Sequence, residues 1–191
     1  MSRDKHASRA LSRRRFGWLL GASTVAPAAP ASAARADLLG WGDTRWGMTR
    51  DELARVLGPA RATLTPRLEY GELLVRDTLP GQRIAGRPFV ALFQIDRENE
   101  RLAQVLLRYR GDFPMLGDFA AVRDALAKDL GAPQERRAET DHRGSFPSFW
   151  IEAGWSFPTT AVVLSLTDPN AQPWSRKRKT LVIRYSRRSG R

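Results

Sequence analysis

Few side chains in this chain of 191 residues are suited to catalysis. It has no cysteine and two histidines, His6 and His142. Asp141 precedes His142, and an acid can orient an imidazole for general-base work. Adjacent side chains usually point apart, however, and the segment around them reads as a polar loop. Since no serine lies in the G-x-S-x-G pattern of a nucleophile elbow, the sequence predicts no catalytic residue.

Cofactor and metal sites are equally poorly marked. The lack of cysteine excludes disulfides, zinc-thiolate sites and iron-sulfur clusters. The stretch from Gly81 to Gly86 lacks the lysine-hydroxyl pair of a phosphate loop and reads as a hairpin connection. We therefore expect no cofactor and no metal. Paired carboxylates remain as an alternative chemistry, if folding brings together acids such as Glu69, Glu72 or Asp77.

The positive charge is concentrated at the two ends of the chain. The net charge is +12, but residues 1–36 hold seven basic residues against one acid, and residues 175–191 hold eight basic residues and no acid. The part between them has 17 basic and 19 acidic residues, so it is nearly neutral. The predicted folded body therefore lacks the overall basic character of a nucleic-acid-binding domain, and we expect no nucleic-acid partner.

Residues 1–36 have the three parts of an export signal. A basic region ends at Arg15, an apolar stretch runs from Phe16 to about Val25, and small residues follow with A-x-A sites that end at Ala33 and Ala36. The apolar stretch is too short to span a bilayer, which takes about 20 residues. We predict cleavage near residue 33 or 36 and a soluble periplasmic mature chain without a transmembrane segment.

The residues Ser12-Arg13-Arg14-Arg15-Phe16 resemble the twin-arginine export signal. The residues that carry the match are Arg13, Arg14 and Phe16, and Gly17 replaces the usual leucine. The resemblance implies export across the bacterial inner membrane after folding in the cytoplasm.

Two helices are marked by local signals. Thr49 and Glu52 form a capping-box pattern, and Gly58-Pro59 would end that helix. In the second helix, Asp118 is the expected cap and Gly131 the expected end. Apolar residues between these signals recur at helical spacing, at Leu53, Val56 and Leu57 and at Phe119, Val122, Leu126 and Leu130.

The two halves of the chain match each other. The first helix matches residues 123–131 at an offset of 73, and Val105-Leu106-Leu107-Arg108-Tyr109 matches Leu181-Val182-Ile183-Arg184-Tyr185 at an offset of 76. Strand-like runs cover about 68–78, 87–96, 102–110, 148–156 and 160–167, with a last strand near 181–185. This pattern predicts an α+β fold of two αβββ repeats, with an antiparallel sheet and helices packed on one face. The expected units are an export signal at 1–36 and repeats at 37–112 and 113–191.

The Trp-Gly-x-Thr entry at Trp41, the helix ending in Leu-Gly and the following strands resemble tandem α/β repeats of secreted bacterial proteins. Examples are the beta-lactamase inhibitory protein and the SmpA/OmlA (BamE-like) small domains. The resemblance implies non-catalytic, protein-binding modules. This chain has no lipid-bearing cysteine, so the resemblance does not extend to lipid anchoring.

Two groups of residues are candidates for binding. On a strand, Trp150 and Trp155 differ in parity and should face opposite sides of the sheet, so one of them can be exposed. The adjacent cations Arg176, Lys177, Arg178 and Lys179 could contact an anionic surface.

These patterns together predict an exported, non-enzymatic binding protein. Its expected partner is an envelope protein or an anionic envelope polymer. Two alternatives remain open: a cell-envelope hydrolase that uses paired carboxylates, and a basic adaptor for anionic envelope surfaces.

Overall fold

An eight-stranded antiparallel sheet makes up most of the fold. The computed structural model describes residues 37–141, 148–169 and 179–188. Within them lie helices α1 (Arg50–Leu57) and α2 (Leu116–Leu130) and a short 3-10 turn (Gly58–Ala60). The strands are β1 (Ala62–Tyr70), β2 (Leu73–Ile84), β3 (Arg87–Asp96), β4 (Leu102–Tyr109), β5 (Glu135–Asp141), β6 (Ser148–Ser156), β7 (Thr160–Asp168) and β8 (Thr180–Arg187).

The strand order is β1-β2-β3-β4-β8-β7-β6-β5, and every neighbouring pair is antiparallel. Strands β4 and β8 therefore meet at the centre of the sheet, although 70 residues separate the end of one from the start of the other. Their register pairs Leu107 with Ile183. All the described residues belong to one compact unit.

The predicted α+β fold of two αβββ repeats is wrong. One continuous sheet dominates the described chain, with only two short helices, and four strands follow each helix. The two unpredicted strands are the sheet edges, β1 and β5. Edge strands pair on one side only and need no buried face, so they lack the apolar alternation on which the prediction depended. The units with boundaries at 36 and 112 stay a prediction.

The first hairpin also differs from the prediction. The expected strand over residues 68–78 is interrupted by a turn at Gly71-Glu72, where Gly71 has φ +59°. The second turn lies at Ala85-Gly86, with both φ angles positive, and not across the whole stretch from Gly81. A two-residue turn of this kind matches the twist of the strands that it joins.

The helix signals act largely as expected. At α1, Glu52 N–H donates to Thr49 Oγ1 (3.3 Å) and Thr49 N–H donates to Glu52 Oε2 (2.8 Å), which confirms the capping box. Helix α2 starts two residues before Asp118, so Asp118 lies in the first turn and is not the cap. Its carboxylate accepts the N–H of Met115 (2.9 Å), and this bond holds its pKa below the ordinary value.

The main core lies between the helices and one face of the sheet, which we call the helix face. Leu53 of α1 joins it with Phe119, Val122 and Leu126 of α2. The sheet residues of this core come from five neighbouring strands: Phe89, Ala91, Phe93 and Ile95; Leu102, Val105 and Leu107; Leu181, Ile183 and Tyr185; Val162, Leu164 and Leu166; Ala153 and Trp155. Because strand side chains alternate, the residues between them point to the other side. All the buried helical residues of the described chain belong to the main core, and we call the other side of the sheet the open face.

Candidate functional site

The open face is broadest over the four strands β4, β8, β7 and β6. Pairing places the following residues on it: Gln104, Leu106, Arg108, Val182, Arg184, Ser186, Ala161, Val163, Ser165, Thr167, Trp150, Glu152 and Gly154. All of them are half-buried or exposed except Ser165, which is buried. Partial exposure over four paired strands makes a shallow, mixed surface and not a deep pocket.

At the β2–β3 end of the open face, the side chains are buried. Val75, Thr78, Leu92 and Gln94 lie on the same side of the sheet and are buried, although they are not part of the main core. Two bulges in β2 bend this end of the sheet. The amide of Gln104 donates to the side-chain oxygen of the buried Gln94. The accessible part of the open face is therefore the central and β6 side.

Trp150 and Trp155 lie on opposite faces, as their parity predicts. Trp150 pairs with Thr167 and Glu139 on the open face and is half-buried. Trp155 is 2% exposed in the core, and its indole N–H donates to the carbonyl of Gly131 at 2.6 Å. Trp155 is thus a core residue, and its proposed role in surface binding is wrong.

Of the four adjacent cations at positions 176–179, only Lys179 lies within the described residues. Lys179 Nζ lies 2.9 Å from Asp168 Oδ2, and the Asp168 side chain is nearly buried. This ion pair neutralises Lys179 within the chain. Arg176, Lys177 and Arg178 lie outside the described residues, as do His142 and the export-signal residues Arg13, Arg14 and Phe16.

The acids of the hydrolase alternative have separate environments. Asp77 is 1% exposed on the helix face, where its carboxylate accepts from Arg50 Nε at 3.2 Å and from an Arg61 guanidinium nitrogen at 3.0 Å. Glu69 is exposed at the sheet edge, where bonding to Arg67 and the charge of Arg97 hold its pKa below the ordinary value.

Glu72 is exposed in the turn that joins β1 to β2, and its backbone carbonyl accepts the N–H of Arg97 at 2.9 Å. Glu69 and Glu72 thus share one partner, Arg97, which Glu72 contacts through its backbone carbonyl only, whereas Asp77 bonds to Arg50 and Arg61.

A small cavity lies beside Trp150. Its volume is about 260 Å³, and it is lined by Glu139, Ser148, Phe149, Trp150, Thr167, Asp168 and Pro169. One of its two acids, Asp168, is the ion-pair partner of Lys179. In the described ranges no three acidic, histidine or cysteine side chains come together as a possible metal site. None of the helices in those ranges is long and apolar enough to cross a membrane.

Two residues of the open face, Arg108 and Arg184, were not predicted as candidates from the sequence. Both lie in the segments that match at an offset of 76, where each is a single arginine within an apolar strand. In the sheet they come together on the two central strands. Their equivalent positions in the two matching segments were the sequence signal that could have identified them.

No family model, curated protein or solved structure matches this chain. The resemblances described above therefore depend on the quoted residues alone.

Proposed function

We propose that the mature chain is an exported, non-enzymatic binding protein, and that it binds a partner protein on the open face of its sheet. The observation that carries the proposal is the mixed character of the central open face. There, aliphatic side chains such as Leu106, Val163 and Val182 are half-buried beside Arg108 and Arg184. Interfaces between proteins combine apolar surface with arginine and aromatic residues in this way.

The environments of the acids argue against the hydrolase alternative. General acid-base catalysis by a carboxyl pair needs two carboxyl groups that reach one substrate. Asp77 instead bonds to two arginines on the helix face, and Glu69 is bonded at the sheet edge. The basic-adaptor alternative has no support from Lys179, since that charge is neutralised by Asp168.

Capture with matched variants tests the binding face. Val163 is half-buried in the middle of β7, and a lysine there can extend its charged end into water while it obstructs the surface. Ala125 of α2 is also half-buried but lies on the helix side, so Ala125→Lys is the control. The bait is the mature chain, residues 37–191, immobilised and exposed to periplasmic extract.

Val163→Lys should lose the captured partner, whereas Ala125→Lys should retain it. Thr167→Lys, on the same strand and face, is the second variant if Val163→Lys does not fold, as judged by its circular dichroism. Equal capture by the open-face variants and the control would refute the proposed face.

Export is a separate part of the proposal and has its own test. Replacement of both Arg13 and Arg14 by lysine should retain the protein in the cytoplasm, because the twin-arginine route requires the arginine pair. A fractionation experiment that finds the double variant still in the periplasm would refute that route.

A further inference from the structure

Arg108 and Arg184 are neighbours at the centre of the open face. The register of β4 and β8 places Arg108 opposite Val182 and Arg184 opposite Leu106. The two arginines are thus diagonal neighbours on one face, a relation that separates their Cα atoms by about 7–8 Å. Since β4 and β8 are the middle strands of eight, this pair lies at the centre of the sheet.

Aliphatic residues flank both arginines. On the outer sides of the pair, Arg108 lies opposite Val90 of β3, and Arg184 lies opposite Val163 of β7. Each guanidinium therefore extends from an apolar floor, where a bond to a carboxylate is less screened by water than at an open surface.

Neither arginine has an acidic partner in the described chain. Other arginines do: Arg50 and Arg61 bond to Asp77, and Arg87 bonds to Asp118. Two like charges at this diagonal separation, without a counter-ion in the described chain, repel each other. An anionic group from another molecule would relieve that repulsion.

We propose that Arg108 and Arg184 bind two carboxylates of an acidic, extended segment of the partner protein. Side chains at positions i and i+2 of an extended strand are on one side and about 6.6–6.8 Å apart, close to the spacing of the two arginines. The planar guanidinium can hold a carboxylate with two parallel bonds. This inference rests on the proposed function, and it names the chemistry that the open face recognises.

A protein segment fits this site better than an anionic polymer does. Polyanion sites track a repeating backbone charge with many cations. Here two cations are flanked by aliphatic side chains, and further along the same face Glu139 and Glu152 lie with a single further cation of the described chain, Arg137, which is opposite Glu152. An acidic peptide with apolar or small residues between its acids complements that pattern.

The test titrates the protein with a defined peptide and monitors the NMR signal of each arginine side chain. The probe is an acetylated, amidated pentapeptide with glutamate at its second and fourth positions and threonine elsewhere, and its control has glutamine at both positions. The Nε–Hε signals of the mature chain, labelled with ¹⁵N, are followed by NMR during titration. Arg187 is the internal control, since it lies on β8 but on the opposite face.

The signals of Arg108 and Arg184 should shift saturably with the glutamate peptide and not with the glutamine peptide, while Arg187 stays unchanged. Arg184→Gln should weaken binding about tenfold, as expected for one lost charge-assisted bond. Arg187→Gln should leave the affinity unchanged. Equal responses to both peptides, or equal shifts at all arginines, would overturn the inference.

Inorganic tripolyphosphate separates the two ligand classes. If it shifts the pair while the glutamate peptide does not, the site binds phosphate and the carboxylate inference is wrong. If neither probe shifts the pair but Val163→Lys still abolishes capture, the proposed function stands without this inference. If the glutamate peptide binds but Val163→Lys captures the partner normally, the carboxylate site is supported and the proposed partner surface fails.

Discussion

Substitution of the buried Asp77 tests whether its carboxylate stabilises the fold or takes part in a catalytic reaction. Its carboxylate is 1% exposed and accepts from Arg50 and Arg61, whose side chains are 41% and 28% exposed. Removal of a partner from a fully buried ion pair costs about 3–5 kcal/mol, because the remaining charge is stranded. Here both remaining guanidinium groups reach water, so the cost should be smaller.

We therefore expect Asp77→Asn to lower the free energy of unfolding by about 2 kcal/mol, the scale of a lost hydrogen bond to a charged group. For a chain of this size that corresponds to a fall of about 4–8 °C in Tm. The assay is urea unfolding of the mature chain, followed by tryptophan fluorescence. The control is Asp43→Asn at an exposed turn position, which should stay within about 0.5 kcal/mol of wild type.

Equal stability of Asp77→Asn and the Asp43→Asn control would refute a stabilising role for the Asp77 carboxylate. A stable Asp77→Asn protein that had lost a hydrolytic activity on cell-wall material would favour the enzyme alternative. A less stable variant that still binds the partner would assign Asp77 to the support of α1 and the β1–β2 edge.

Three further predictions concern the helices, the core and the open face. The N–H of Met115 and the guanidinium of Arg87 hold the pKa of Asp118 below its ordinary value. The stabilising effect of this carboxylate should therefore be lost as the pH falls through that lowered pKa, and Asp118→Asn should flatten this part of an acid-unfolding curve. Trp155→Phe should cost about 2 kcal/mol in urea unfolding, because it leaves the half-buried carbonyl of Gly131 without its indole donor and opens space in the core. Arg184→Gln should leave Tm unchanged or raise it slightly, since it removes one of two like charges; a clear loss of stability would show that Arg184 has a structural partner.

The helices and central strands were predictable from local signals. The capping box at Thr49 and Glu52 uses interactions between residues three apart, which a sequence shows directly. Strands β3, β4, β6, β7 and β8 carry apolar runs because one or both of their faces are buried. Edge strands β1 and β5 have no such apolar run, and the sequence of β5 is ERRAETD.

The candidate site was less predictable because it depends on pairing between distant strands. The parity of Trp150 and Trp155 is a property of one strand, so the sequence alone placed them on opposite faces. The proximity of Arg108 and Arg184 requires β4 to lie beside β8 in a specific register. The buried alternation of β4 and of β8 fixes which side of the sheet each arginine faces, but it does not show that these two strands are neighbours.

Site-specific cross-linking in the cells that produce the protein tests the central claim most directly. A photoreactive benzoylphenylalanine replaces Thr167 on the open face in one variant and Ala125 on the helix side in another. Binding on the open face predicts a cross-linked adduct of higher mass from position 167 and none from position 125. An adduct from position 125 alone, or equal adducts from both positions, would contradict the claim that the open face holds the partner.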